Sequence, residues 1–110
     1  MGQAVNRIIE IREREIRPIL DRVTEIVRRH LPEKSVRILL FGSWATLESA
    51  PTSDIDVGIL GEGPVDDITV ARIREEIDRL PTLRKVDVVD LWTVDDRFRK
   101  TVMEQAEMLA

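Results

Sequence analysis

Apolar residues in the first third of the chain recur at three- and four-residue steps: Ile16, Ile19, Leu20, Val23, Ile26, Val27 and Leu31. That spacing puts them on one stripe of a helix and predicts a helical N-terminal region over residues 1–32. Glu10 and Arg14, Glu13 and Arg17, and Glu25 and Arg29 place acid four residues before base, the favourable order on a helix surface. Pro18 interrupts the pattern. It either kinks one long helix or starts a second, because it lacks an amide proton and disfavours helix in the residue before it. Pro32 marks the end of the region.

The pattern then changes. Val36 to Phe41 is a short apolar run that predicts a strand, punctuated by Gly42-Ser43, with a brief helix over Trp44 to Glu48. Ile55 to Leu60 predicts a second strand, closed by the turn residues Gly61-Glu62-Gly63-Pro64. Val70, Ile73, Ile77 and Leu80 form another helical stripe, ended by Pro81. Val86 to Leu91 is a third strand. Thr93-Val94-Asp95-Asp96 fits a capping box, and Phe98, Val102, Ala106 and Leu109 line one face of a final helix. The expected order is α-β-α-β-α-β-α, an α/β (α+β) fold with a small mixed three-stranded sheet flanked by helices.

Length and composition narrow the picture. The chain of 110 residues suits one domain over 1–110. Cysteine is absent, so thiolate metal sites are excluded. No apolar run approaches the ~20 residues needed to cross a bilayer, and the charged start lacks a signal-peptide core, so a cytoplasmic protein with no membrane role is expected. A net charge of −4 argues against direct nucleic-acid binding through a basic surface. With 4% aromatic residues, few side chains are available for base stacking.

Three features carry candidate chemistry. Asp54 and Asp56 lie two apart at the start of the second strand, so on a strand they share a face. Adjacent carboxylates repel unless a cation lies between them, and Mg²⁺ takes oxygen ligands while leaving positions open for phosphates. The plainer reading is a solvated strand end. Gly42-Ser43, directly after the first strand, allows close backbone approach to an anion, with the Ser43 hydroxyl as a further donor. The plainer reading there is a turn with Ser43 as helix cap. Asp87, between Val86 and Val88, would stand beside the Asp54–Asp56 pair if the strands are neighbours. Three carboxylates can hold two Mg²⁺ ions for in-line displacement at phosphorus. Asp90, three residues on, should face the opposite way and serve the structure. For Ser43 and Asp54 to reach the same phosphates, strands one and two should be antiparallel, and strands two and three roughly parallel.

Taken together, Leu39-Leu40-Phe41-Gly42-Ser43-Trp44-Ala45, Asp54-Ile55-Asp56-Val57 and Val86-Asp87-Val88-Val89-Asp90-Leu91 resemble the polymerase-β nucleotidyltransferase superfamily, in particular its minimal (MNT) group. The resemblance runs from about Val36 to the C-terminus and includes Phe98-Arg99-Lys100. It implies that Asp54, Asp56 and Asp87 are catalytic and hold Mg²⁺, with Asp87 helping to activate the acceptor. It also implies that Gly42 and Ser43 bind the β- and γ-phosphates of ATP. Many relatives carry a basic residue after Gly-Ser and a glycine a few positions later, where this chain has Trp44 and Leu47.

In the minimal group, many members resemble antitoxins paired with an all-helical HEPN toxin, which implies transfer of AMP from ATP to a partner hydroxyl, in that group a tyrosine. A binding module that neutralises a partner by docking alone is the alternative. A Mn²⁺-dependent sugar-nucleotide transferase also uses Asp-x-Asp, but the upstream Gly-Ser argues against it. Nucleotide base, acceptor and oligomeric state stay open. His30 is expected at a helix C-terminus without a catalytic role. Arg12, Arg14, Arg17, Arg28 and Arg29 are expected on a solvated face, and Trp92 in packing. Trp44 is read as packing or as a ligand contact. Met103 and Met108 suit helix packing or a partner surface.

Overall fold

The computed structural model describes residues 2–110, with side chains described from Asn6 onward; Met1 of the expected helical region lies outside them. Helix α1 (Gly2–Ile11) continues through one wide π-helical turn (Arg12–Ile16) into α2 (Arg17–His30). The Arg17 amide bonds the Arg12 carbonyl, five residues back rather than four. Pro18 follows this turn directly, so the amide it lacks falls at the junction of the wide turn and α2. The backbone stays right-handed helical at Ile11, Ile16 and Arg17, so the region is one long helical run with a widened turn inside it rather than two separately started helices. Arg28, Arg29 and His30 lie in the last turn of α2, where positive charge suits the carbonyl end.

Strands β1 (Arg37–Phe41), β2 (Ile55–Leu60) and β3 (Val86–Asp90) form where the apolar runs predict them, separated by the one-turn helix α3 (Ser43–Thr46) and by α4 (Asp67–Asp78). β1 and β2 are antiparallel, and β2 and β3 parallel, as expected. The sheet has four strands rather than three, in the order β3-β2-β1-β4. Helix α5 (Asp96–Gln105) stops where Ala106 takes extended angles (φ −72°, ψ 151°), and β4 (Glu107–Met108) pairs with Leu39 and Leu40.

Leu109 thus leaves the predicted helix, and its amide donates to the Ile38 carbonyl at 2.7 Å. A two-residue strand is too short to show an alternation of its own, so the helical spacing of Ala106 and Leu109 masks it. Its cause is the outer edge of β1, whose backbone groups need partners between two layers. Glu107 also closes a two-pronged ion pair with Arg17 (2.6 and 3.2 Å), tying β4 to α2. The cap of α5 is Asp95, which accepts from the Phe98 amide at 2.7 Å, not Thr93. The Thr93 hydroxyl donates instead to the Asp90 carbonyl at 2.8 Å.

The sheet's two faces carry unequal cores. On one, Ile38, Leu40, Ile55, Val57, Ile59 and Val88 pack against the stripe of Leu20, Val23 and Val27 from α2 and Ile73 from α4. Each such side chain fully buried contributes about 1.5–3 kcal/mol. On the other, Leu39, Phe41 and Leu91 form a smaller cluster with Val102 of α5, and Leu60, Val89, Val94, Met103 and Ala106 pack beside it. Arg74 of α4 reaches the edge strand and donates to the Val88 carbonyl (2.7 and 3.2 Å), blunting that edge.

Candidate active site

Phe41, Asp56 and Asp87 stand in one row across β1, β2 and β3, on the thinly covered face. Asp56 and Asp87 are direct neighbours in the parallel register. With Arg74, Lys85 and Phe98 these residues line a cavity of about 700 Å³. Phe98 meets Phe41 edge to face, with ring centres 6.1 Å apart. Asp54 lies just before β2, exposed, and lines an adjoining hollow that shares Lys85 with the main cavity. The expected trio is therefore split into a close pair and an outlying third acid. Among the described residues no three acidic or imidazole side chains gather closely enough to cage an ion. Asp87 instead has the Lys85 ammonium at 3.7 Å.

The charges are nonetheless felt. Burial, then the negative charges of Asp87 and Asp54, push the Asp56 carboxyl above its ordinary range, with Lys85 opposing. An acid that disfavours its own ionisation in this way, with carboxylate oxygens as the donors beside it, fits a hard divalent cation; Asp56 and Asp87 would hold it directly, with Asp54 next in reach.

Gly42 ties the second half of the site to the first. Its backbone (φ 74°, ψ −157°) lies in a region open only to glycine. A Cβ there would collide with the Asp56 carboxylate, whose Cγ would be 3.1 Å away. The glycine therefore allows both the bend and the carboxylate beside it. Gly42 caps α3, so Ser43 is the first helical residue rather than the cap. The Ser49 hydroxyl donates to the Ser43 hydroxyl at 2.9 Å and fixes its position.

Sequence reasoning missed Ser49, which is buried and gives no periodic signal. It also missed Lys85, although Lys85 stands two residues before Asp87 and so on the same side of the chain.

The remaining candidates sort themselves by contact. Trp44 is fully buried, and its indole N–H donates to the Ser53 carbonyl at 3.0 Å, so packing is its role. Leu47 adopts left-handed angles (φ 64°, ψ 25°), a conformation that glycine enters freely and leucine does not. Asp90 is buried on the opposite face, as expected. Its carboxylate accepts from the Val65 amide (2.8 Å) and the Trp92 amide (3.0 Å). Trp92 is not a packing residue: it is 45% exposed. The chain turns at Asp90 and leaves the indole beside Lys34 and Arg37. His30 and Arg29 bond Glu76 of α4 (3.1 and 2.6 Å), Arg28 the Glu33 carbonyl (2.9 Å), and Arg12 the Glu13 carboxylate (2.9 Å). These cations are used within the molecule. Met103 packs against the smaller core, and Met108 is exposed.

Comparison with known proteins places this geometry. The family described as polymerase beta, nucleotidyltransferase matches residues 21–110. A toxin–antitoxin structure with AMP-PNP is 25% identical at a TM-score of 0.66, over 83% of this chain and 72% of that one. A protein assigned as a minimal nucleotidyltransferase is 27% identical at 0.65, over 84% and 90%. A structure of a tri-AMPylated Shewanella oneidensis HEPN toxin in complex with MNT antitoxin shares the fold at 23% identity and 0.63, over 86% and 71%. No match to a curated protein was found.

Proposed function

The chain belongs to the polymerase β nucleotidyltransferase family, and from that premise we propose that it transfers AMP from ATP to a hydroxyl, a tyrosine by family precedent, of a HEPN-type partner protein. The observation that carries the reading is the Asp56–Asp87 rung beside the Gly42 bend, in a cavity of nucleotide size. The similar toxin–antitoxin structure with AMP-PNP supports an adenine nucleotide, and the tri-AMPylated toxin supports both AMP as the transferred group and a protein as acceptor.

In this reading Asp56 and Asp87, with Asp54, would hold Mg²⁺. Bound Mg²⁺ neutralises the triphosphate and stabilises charge on the leaving pyrophosphate. The Gly42 bend and the Ser43 hydroxyl, held by Ser49, receive the β- and γ-phosphates. Asp87 lies on the edge strand, where a hydroxyl from outside can approach. The acceptor oxygen bonds to the α-phosphorus, the bond to pyrophosphate breaks, and Asp87 draws the hydroxyl proton away. The Lys85 ammonium stands 3.7 Å from the Asp87 carboxylate. A toxin-neutralising role of this kind belongs to the cytoplasm.

The test is incubation of the chain with ATP, Mg²⁺ and the HEPN-type protein of its source organism, read by intact mass. An AMP adduct on the partner is expected, and Asp56→Asn or Asp87→Asn should slow it by on the order of 10²–10³-fold or more, the scale of losing one preorganised transition-state contact. A stable complex with no mass gain sinks the reading. Full neutralisation by both variants would instead assign the chain to docking alone.

A further inference from the structure

Among the described residues, Phe98 is the one aromatic side chain in the carboxylate cavity with ring surface to spare, and we propose that the base of the nucleotide stacks on it. This rests on the nucleotidyl-transfer reading above and adds the residue that grips the nucleoside half of the substrate. The chain has two Trp and two Phe and no Tyr. Trp44 is fully buried, Phe41 is buried beneath the cavity, and Trp92 lines a separate hollow with Lys34 and Arg37. Phe98 lines the cavity with Phe41, Val89 and the two acids, and is 39% exposed.

The ring is fixed before any ligand arrives. The Phe98 amide donates to the Asp95 carboxylate at 2.7 Å. Arg99, the next residue, donates to the carbonyls of Leu91 (2.6 Å), Trp92 (2.9 Å) and Val94 (3.0 Å), which ties the start of α5 to the end of β3. The contact between Phe98 and Phe41 is edge to face, with 87° between the ring planes. Whichever ring supplies the edge, at least one face of Phe98 is not used by Phe41. Val89 stands two residues after Asp87, on the same side of β3, and extends the apolar wall. An aromatic face held ready in this way binds a flat ring with little ordering cost.

Position along the row of acids favours the base over the acceptor as occupant. The row runs from Phe41 on β1 through Asp56 on β2 to Asp87 on β3, the edge strand by which the acceptor arrives. Phe98 packs on Phe41, two strands from that edge. With the β- and γ-phosphates at Gly42, just past the end of β1, and the α-phosphate at the acids, the nucleoside has the face around Phe41 and Phe98 to lie on. Stacking uses the π face that every base carries, so this platform holds a base without reading its hydrogen-bonding edge.

The experiment is calorimetric titration in Mg²⁺ of the parent, Phe98→Leu and Phe98→Tyr, with AMP-PNP and with tripolyphosphate, which offers phosphates and no base. Leucine keeps an apolar contact with Phe41 but has no π face, and tyrosine keeps the ring. Phe98→Leu should raise the Kd for AMP-PNP on the order of tenfold or more, the scale of one base–aromatic stack. Its affinity for tripolyphosphate should match the parent, and Phe98→Tyr should bind AMP-PNP as the parent does. Unchanged AMP-PNP affinity in Phe98→Leu overturns the inference, and so does an equal loss for tripolyphosphate, which would make the ring structural. A variant altered only in its KM for the partner protein gives the ring to the acceptor and likewise overturns it. The parent supplies a check free of folding effects: UMP-PNP, with the smaller ring, should bind more weakly than AMP-PNP, and equal affinity refutes stacking. These titrations need no partner, so the two readings can fail separately. AMP-PNP binding that depends on Phe98, with no partner labelled, supports the platform and removes the transfer reading. A parent that binds neither ligand overturns both.

Discussion

Replacing Gly42 by alanine separates the two tasks assigned to that glycine. The first cost is conformational: φ 74° with ψ −157° is a region an L-residue enters only under strain, at about 1–3 kcal/mol. The second is steric, because the new Cβ would overlap the Asp56 carboxylate and stand 3.1 Å from its Cγ and 3.3 Å from its Cβ. In a domain of this size each kcal/mol corresponds to roughly 4–8 °C of melting temperature, so the backbone part alone should lower the midpoint by roughly 4–24 °C. The steric part is isolated by repeating the change in an Asp56→Ala background. That variant lacks the colliding carboxylate and keeps only the 3.3 Å Cβ contact. Urea unfolding of the four proteins gives a double-mutant cycle, and a coupling of about 0.5–3 kcal/mol is expected, with Gly42→Ala less damaging when Asp56 is gone. Equal losses in both backgrounds would refute the claim that this glycine exists partly to make room for the carboxylate.

Asp56→Asn should stabilise the metal-free protein at neutral pH by about 0.2–1 kcal/mol, the scale of an unfavourable cross-strand pair. The sign follows from linkage: folding raises the Asp56 pKa, so the penalty is absent below its ordinary value of 3.8 and grows as pH rises through the folded value. Melting curves in EDTA from acid to neutral pH should converge at the acid end, and a pH-independent difference would contradict the assignment. Leu47→Gly should raise stability by about 0.5–1 kcal/mol, since relief of a left-handed leucine (about 1–2 kcal/mol) outweighs the added chain entropy; a lower denaturation midpoint argues against strain there. Asp90→Ala leaves the Val65 and Trp92 amides without acceptors, and a loss of about 2–5 kcal/mol in urea unfolding is expected. A loss below that range would show that water serves those amides equally well.

Strands β1 to β3 were legible because each is a short apolar run between turn residues, and their mixed directions followed from asking Ser43 and the aspartates to meet. β4 was not legible: its two residues carry no period, and only the unsatisfied edge of β1 explains them. Within the site, Asp56, Asp87 and Gly42 fall together as their spacing implied. Asp54 stands one residue before β2 and lines the neighbouring hollow, a placement that depends on how the Ala50–Ser53 turn closes, with the Ala50 amide on the Ser53 hydroxyl and the Ser53 amide on the Ala50 carbonyl. Ser49 and Trp92 depend on how loops fold back, through Ser43 and Asp90 respectively, and neither contact leaves a mark on local sequence. Proline 18 was ambiguous for a related reason: the wide turn before it is a backbone adjustment that no residue type announces.

Asp56 and Asp87 face each other across one rung of parallel pairing, so the distance between their backbones is the interstrand spacing, about 4.8 Å. That dimension belongs to the hydrogen-bonded lattice of the sheet, and no change in the connections between strands can stretch it. Loops such as Gly61 to Val65 and Leu80 to Lys85 are free to lengthen, swap residues or acquire new grips without altering the gauge at which the two acids meet. A scaffold of this kind divides its labour along the chain: the ladder keeps the chemistry constant, while the connections are left to diverge with whatever molecule must be brought to it.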